Sequence, residues 1–165
     1  MRNFKIFLWI FIVFIIQTVV VSHIHILGAV PSLVMSYMIC IVILENEFRN
    51  AVIISVICAA AMGALSGREF VVMTLAYTYS AVIVFSLRKR PAYISNFIKA
   101  VIWTFVVSAA VEILYFPIMT WSLSLDTVLY DALPSAVLNV IGAAVIYPIL
   151  KRTMYKEEKK KLLIV

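Results

Sequence analysis

Apolar residues fill six long runs in this chain, at 4–21, 31–44, 51–65, 70–87, 97–116 and 128–150, broken by short polar stretches. Residues 26–30 extend the second run backwards and Phe48 extends the third, giving spans near 4–21, 27–44, 48–65, 70–87, 97–116 and 128–150. Each approaches the ~20 residues that a helix needs to cross a bilayer. A spanning segment must satisfy its own backbone hydrogen bonds, which makes helix the default. Stretches such as "FLWIFIVFIIQTVVV" do not alternate polar and apolar residues as a membrane β-strand does. The pattern predicts an all-α integral membrane protein, with a six-span domain over 1–150 and a basic tail over 151–165.

Composition supports that reading. Of 165 residues, 65% are hydrophobic and 13% charged, with mean hydropathy +1.10. Soluble domains hold roughly 45–50% apolar and about 25% charged residues. The first run follows Arg2 and Lys5 and is at or beyond the ~7–15 apolar residues of a signal peptide, so it reads as a retained span. Cys40 and Cys58 both fall inside apolar runs and read as small buried hydrophobes without a redox role.

The charges set an orientation. With six spans, every Lys and Arg except Arg68 falls on one side, and positive residues favour the cytoplasm. Both termini are therefore expected in the cytoplasm. The net charge of +6 reflects this topology and does not call for nucleic acid. The tail "KRTMYKEEKKK" is expected to meet anionic lipid, at about 1 kcal/mol per basic residue near the surface.

Candidate chemistry is sparse. His23 and His25 interrupt the first two runs, but residues two apart do not share a helix face. A zinc site needs at least three protein ligands, and no third is in view. No metal is expected. Gly28 relieves the turn between spans, and Pro31 is placed in the first turn of span two. No G-x-S-x-G, H-E-x-x-H, P-loop or Cys-x-x-Cys spacing occurs, so no catalytic residue or cofactor is assigned. Glu112 is the one clear ionisable residue inside the spans. It reads either as an interfacial carboxylate or as one half of a buried ion pair with Arg68.

Small residues carry the stronger signal. Ala51, Ser55, Ala59, Gly63 and Gly67 recur every fourth position along span three, and Ser135, Asn139 and Ala143 do so along span six. Such faces allow close helix approach in lipid, and Asn139 adds an interhelical hydrogen bond worth roughly 1 kcal/mol. Packing within one chain is preferred over a subunit interface, and a homo-oligomer stays open. Pro117 is expected to end span five, and Pro134 and Pro148 to bend or bound span six.

Gln17-Thr18, a short loop, and then Gly28, Pro31 and Leu33 resemble the opening of the bacterial rod shape-determining MreD family. The likeness continues through "AAAMGALSG" at 59–67, with its Ser66-Gly67 turn, and "FVVMTLAYTYSAVIV" after it. The chain departs from that family where Gly63 replaces a frequent Asp and Ser32 an acidic or amide residue. The resemblance implies a non-enzymatic membrane scaffold of the cell-wall elongation complex, with MreC as partner and MreB, RodA and a class B penicillin-binding protein nearby. It makes the loop at 86–99, with Arg88, Lys89 and Arg90, the expected cytoplasmic contact. Size and span number also resemble the S components of energy-coupling-factor transporters. Span one, however, lacks the alanine-rich docking face of those proteins.

Overall fold

The computed structural model describes residues 2–23, 29–66, 70–89, 93–120 and 132–154. Among them are six α-helices: α1 (Arg2–Val19), α2 (Leu33–Leu44), α3 (Phe48–Ser66), α4 (Phe70–Leu87), α5 (Asn96–Thr120) and α6 (Leu133–Met154). One 3-10 turn, Val21–His23, follows α1. Gly28, His25, Gly67, Arg68, Arg90 and the tail from 155 lie outside the described residues.

The helices are arranged around α2. Every residue from Val34 to Ile43 is buried, and all five other helices touch it. The outer helices divide into two close pairs, α3 with α4 and α5 with α6. Each turns one stripe inward and an equally apolar stripe outward. On α1, Ile6, Ile10, Val13 and Gln17 face the core, whereas Phe7, Phe11 and Ile15 face out. On α4, Met73, Tyr77, Ala81 and Val84 are buried, and Val71, Leu75, Tyr79 and Ile83 are exposed. A helix that is apolar all round belongs in lipid or in a large core. The outward stripes here have no protein to cover them, which is the surface of a membrane protein.

Among the described residues, three helices are long and apolar enough to cross a membrane: Phe70–Leu87, Asn96–Leu114 and Leu133–Met154. The shorter apolar helices are Phe4–Val19, Leu33–Leu44 and Phe48–Ala64. The 12 residues of α2 rise only about 18 Å at 1.5 Å each, against ~30 Å of hydrocarbon.

Three boundaries differ from the sequence reading. Pro31 is not in the first turn of α2; it lies in the non-helical segment 29–32 before it, and Ser32 is the N-cap. The Ser32 hydroxyl oxygen accepts the Met35 N–H at 3.3 Å. A proline at 31 biases its predecessor away from helix, and a serine cap fixes where the helix begins. At the same end of the bundle, α5 runs through Pro117 to Thr120. A proline removes one intrahelical bond there without ending the helix. Finally, α6 starts at Leu133, with Pro134 in its first turn, and continues past 150 to carry Lys151 and Arg152 in its last turn. Cations at that end complement the helix dipole.

Candidate functional site

The non-helical segment at 29–32 needs partners for its backbone, because lipid supplies none. Side chains from the surrounding helices supply them. The Gln17 carboxamide donates from Nε2 to the Pro31 carbonyl oxygen at 3.0 Å and accepts the Leu33 N–H at Oε1 at 2.7 Å. Asn139 Oδ1 accepts the Ser32 N–H. Asn139 Nδ2 donates to Ser108 Oγ at 2.6 Å, and its carbonyl oxygen accepts from Ser36 Oγ at 2.7 Å. Tyr77 Oη lies 3.5 Å from Ser32 Oγ, and Met62 Sδ lies 3.8 Å from it. All six helices therefore converge on the start of α2.

This knot is deep. Gln17 is 5% exposed and Asn139 1%. Measured from the N-terminus of α5, Ser108 is about 18 Å along the helix axis, well inside a bilayer-thick slab. Every member is electrically neutral. The arrangement holds donors and acceptors in matched pairs, and it contains no acid, base or activated nucleophile. Its chemistry is the satisfaction of an interrupted helix.

A second polar cluster closes the opposite end of α2. The Arg88 guanidinium donates to the carbonyl oxygens of Val42 at 3.0 Å, Ile43 at 3.4 Å and Asn46 at 3.4 Å. Its Cζ also sits 3.9 Å from the centroid of the Phe85 ring. These are carbonyls at the negative end of the helix dipole, where a cation is favoured. Lys99 Nζ in turn donates to the Arg88 carbonyl oxygen at 2.8 Å. Glu45, 0% exposed, ends α2 and accepts the N–H groups of Asn46 and Glu47 at 3.0 and 3.4 Å.

Arg88 therefore does not have the role expected of it. It is only 8% exposed and its charge is spent inside the protein, so it is not an open cytoplasmic contact. A loop arginine next to two other cations reads as solvated in sequence; the unsatisfied carbonyls of a short buried helix draw this one inward. Lys89 beside it is exposed, and Arg90 lies outside the described residues.

The small-residue faces point inward. Ala51, Ser55, Ala59 and Gly63 are buried. A Cβ on Gly63 would stand 2.7 Å from Phe70 Cδ2, so the ladder sets the close approach of α3 to α4. Ser135, Asn139 and Ala143 are buried as well. Next to them, a Cβ on Gly142 would stand 3.0 Å from both Leu33 Cδ2 and Ser36 Oγ, so α6 lies tightly on α2. Gly67 is outside the described residues. Glu112 is half-buried on α5, one turn beyond Ser108, and its suggested partner Arg68 is outside the described residues.

Sequence reasoning passed over Ser36, Tyr77, Ser108, Glu45 and Lys99. Ser36 lies four positions from the Ser32 cap, and Ser108 four from Glu112. A polar residue on the same helical face as another is the signal that was available. Among the described residues, no three His, Cys, Asp or Glu side chains gather as metal ligands.

Among the described residues, grooves open between neighbouring helices. One, of ≈ 430 Å³, lies between α4 and α5 and is lined by residues including Leu75, Tyr79, Ala110 and Leu114. Another, of ≈ 310 Å³, lies between α1 and α3 and carries Arg49 and Asn50. No protein-family model, curated protein or solved structure matches this chain.

Proposed function

We propose that this chain is a six-span, non-enzymatic scaffold of the bacterial plasma membrane, with both termini cytoplasmic, serving the cell-wall elongation complex in the manner of MreD. The observation that carries the reading is the closure of Gln17 on Pro31. These two residues belong to the motif on which the resemblance rests, and their contact gives that motif a structural purpose. The buried polar groups around it hold the helix start in place and offer no reacting pair. On this reading the outward apolar faces grip the membrane segment of MreC, and Lys89 faces the cytoplasm near the MreB filament. RodA and a class B penicillin-binding protein complete the assembly.

Photocrosslinkers at Tyr79 and Leu114, in the groove between α4 and α5, test this in living rod-shaped cells. Capture of MreC supports the scaffold. Capture of no wall-synthesis protein at any outward position rejects it. Single cysteines at Arg2, Lys89 and Lys156 should all be labelled from the cytoplasmic side only; labelling of Arg2 and Lys156 from opposite sides rejects the even number of spans. Native Cys40 and Cys58 are both 0% exposed and should stay silent in the folded protein.

One observation favours a second reading, a small-molecule-binding subunit like an S component. Polar side chains of α1, α4, α5 and α6 gather around the start of α2, as a ligand site would require. A ligand that binds only the folded form raises its melting temperature. A vitamin or metal panel that leaves the melting temperature unchanged removes this alternative.

A further inference from the structure

We propose that the groove between α1 and α3 is a binding site for one anionic phospholipid, its acyl chain against Ile6, Phe7 and Ile53 and its phosphate on Arg49 and Asn50. The groove is apolar along its walls and polar at one end only. Arg49 is exposed in the first turn of α3, and Asn50 is half-buried beside it. The Asn50 amide already gives one hydrogen to Glu47 Oε2 at 3.0 Å, which orients the group and leaves its second hydrogen for another acceptor. Among the described residues the guanidinium is the only full positive charge lining the groove, and it suits a phosphate because its planar fork donates in pairs. The same end of the bundle carries Lys5, Arg88, Lys89, Lys99, Lys151 and Arg152 against Glu45 and Glu47, so the field there favours an anion.

The lining favours a lipid: apolar side chains for a chain along most of the groove and, at its polar end, a guanidinium that suits a phosphate. An acyl chain lying against Ile6, Phe7 and Ile53 brings its headgroup to Arg49.

Native mass spectrometry of the full chain in detergent, with added dioleoyl phosphatidylglycerol or dioleoyl phosphatidylcholine, tests the site. The anionic lipid should be retained about fivefold over the zwitterionic one, the share of one basic residue near a membrane surface. Arg49→Gln should erase that preference and Arg49→Lys should keep part of it. Ile53→Trp, which fills the groove without touching charge, should cut retention of the anionic lipid. Arg152→Gln at the end of α6 should change nothing, and millimolar glycerol phosphate should not displace the lipid. Equal retention of both lipids, an equal loss in Arg152→Gln, unchanged retention in Ile53→Trp, or displacement by glycerol phosphate would each overturn the proposal. None of these outcomes bears on whether MreC is a partner, so this site stands or falls independently of the scaffold reading.

Discussion

Gln17 spans the gap that Pro31 opens: its one carboxamide takes the Pro31 carbonyl oxygen and the Leu33 N–H together, across 14 and 16 positions of sequence. A proline placed just before a buried helix leaves a carbonyl and an amide facing apolar surroundings. A primary amide, with a donor and an acceptor on one plane, is the side chain that answers both.

Gln17→Leu keeps the volume and removes both bonds. Each of the two orphaned buried groups costs about 1–3 kcal/mol, so the variant should lose roughly 2–6 kcal/mol. Thermal unfolding in nanodiscs measures this. Gln17→Glu should recover part of the loss, since a carboxylate still accepts from Leu33. A Leu variant as stable as the parent would mean water satisfies the segment instead.

Asn139 and Ser108 offer a cleaner number. Their side chains bond at 2.6 Å between α6 and α5. Interhelical hydrogen bonds in membranes average about 0.6 kcal/mol and reach about 1.7 in double-mutant cycles. The cycle Asn139→Ala with Ser108→Ala should give coupling in that range. Asn139→Ala alone should cost more than Ser108→Ala alone, because it also strands the Ser32 N–H.

Close approach at Gly63 predicts a directional rescue. Gly63→Val should destabilise by about 1–3 kcal/mol, as overpacking does. Phe70→Ala in the same chain should return much of it, because Phe70 supplies the nearest atom. Gly142→Val has no comparable rescue: its neighbours are Leu33 and Ser36, and trimming Ser36 removes the bond to Asn139.

Neighbouring cations at 88 and 89 should part company. Arg88→Ala withdraws a charged donor from three carbonyls and should cost about 2–3 kcal/mol in thermal unfolding. Arg88→Lys should rescue little, since one ammonium does not reach Val42 and Asn46 together. Lys89→Ala, at an exposed position, should leave stability within about 0.5 kcal/mol of the parent. Equal losses at both positions would contradict the capping role.

Much of this was legible in the chain. The run at 70–87 coincides with α4, and the four-residue spacing of Ala51, Ser55 and Ala59 picked out a face that is buried. Asn139 stood out as a polar residue in a small-residue stripe, and it is the hub of the knot. The start of α2 did not stand out. Ala29, Val30 and Pro31 are as apolar as the helix that follows, and hydropathy does not distinguish extended backbone from helix. Arg88 was misjudged for a related reason: nothing in "SLRKRP" tells which of three cations is drawn inward. That choice depends on where the short α2 ends, which in turn depends on where it begins.

The distances along the chain at that beginning bear on how the protein is made. The Ser32 N–H and the Ser36 hydroxyl find their acceptors on Asn139, 107 and 103 positions later. While a ribosome is still synthesising α3 to α5, Gln17 of the first helix is already available to Pro31 and Leu33, but the Ser32 N–H between them still lacks its acceptor. The interrupted start is thus half-closed early and completed only when the last helix emerges.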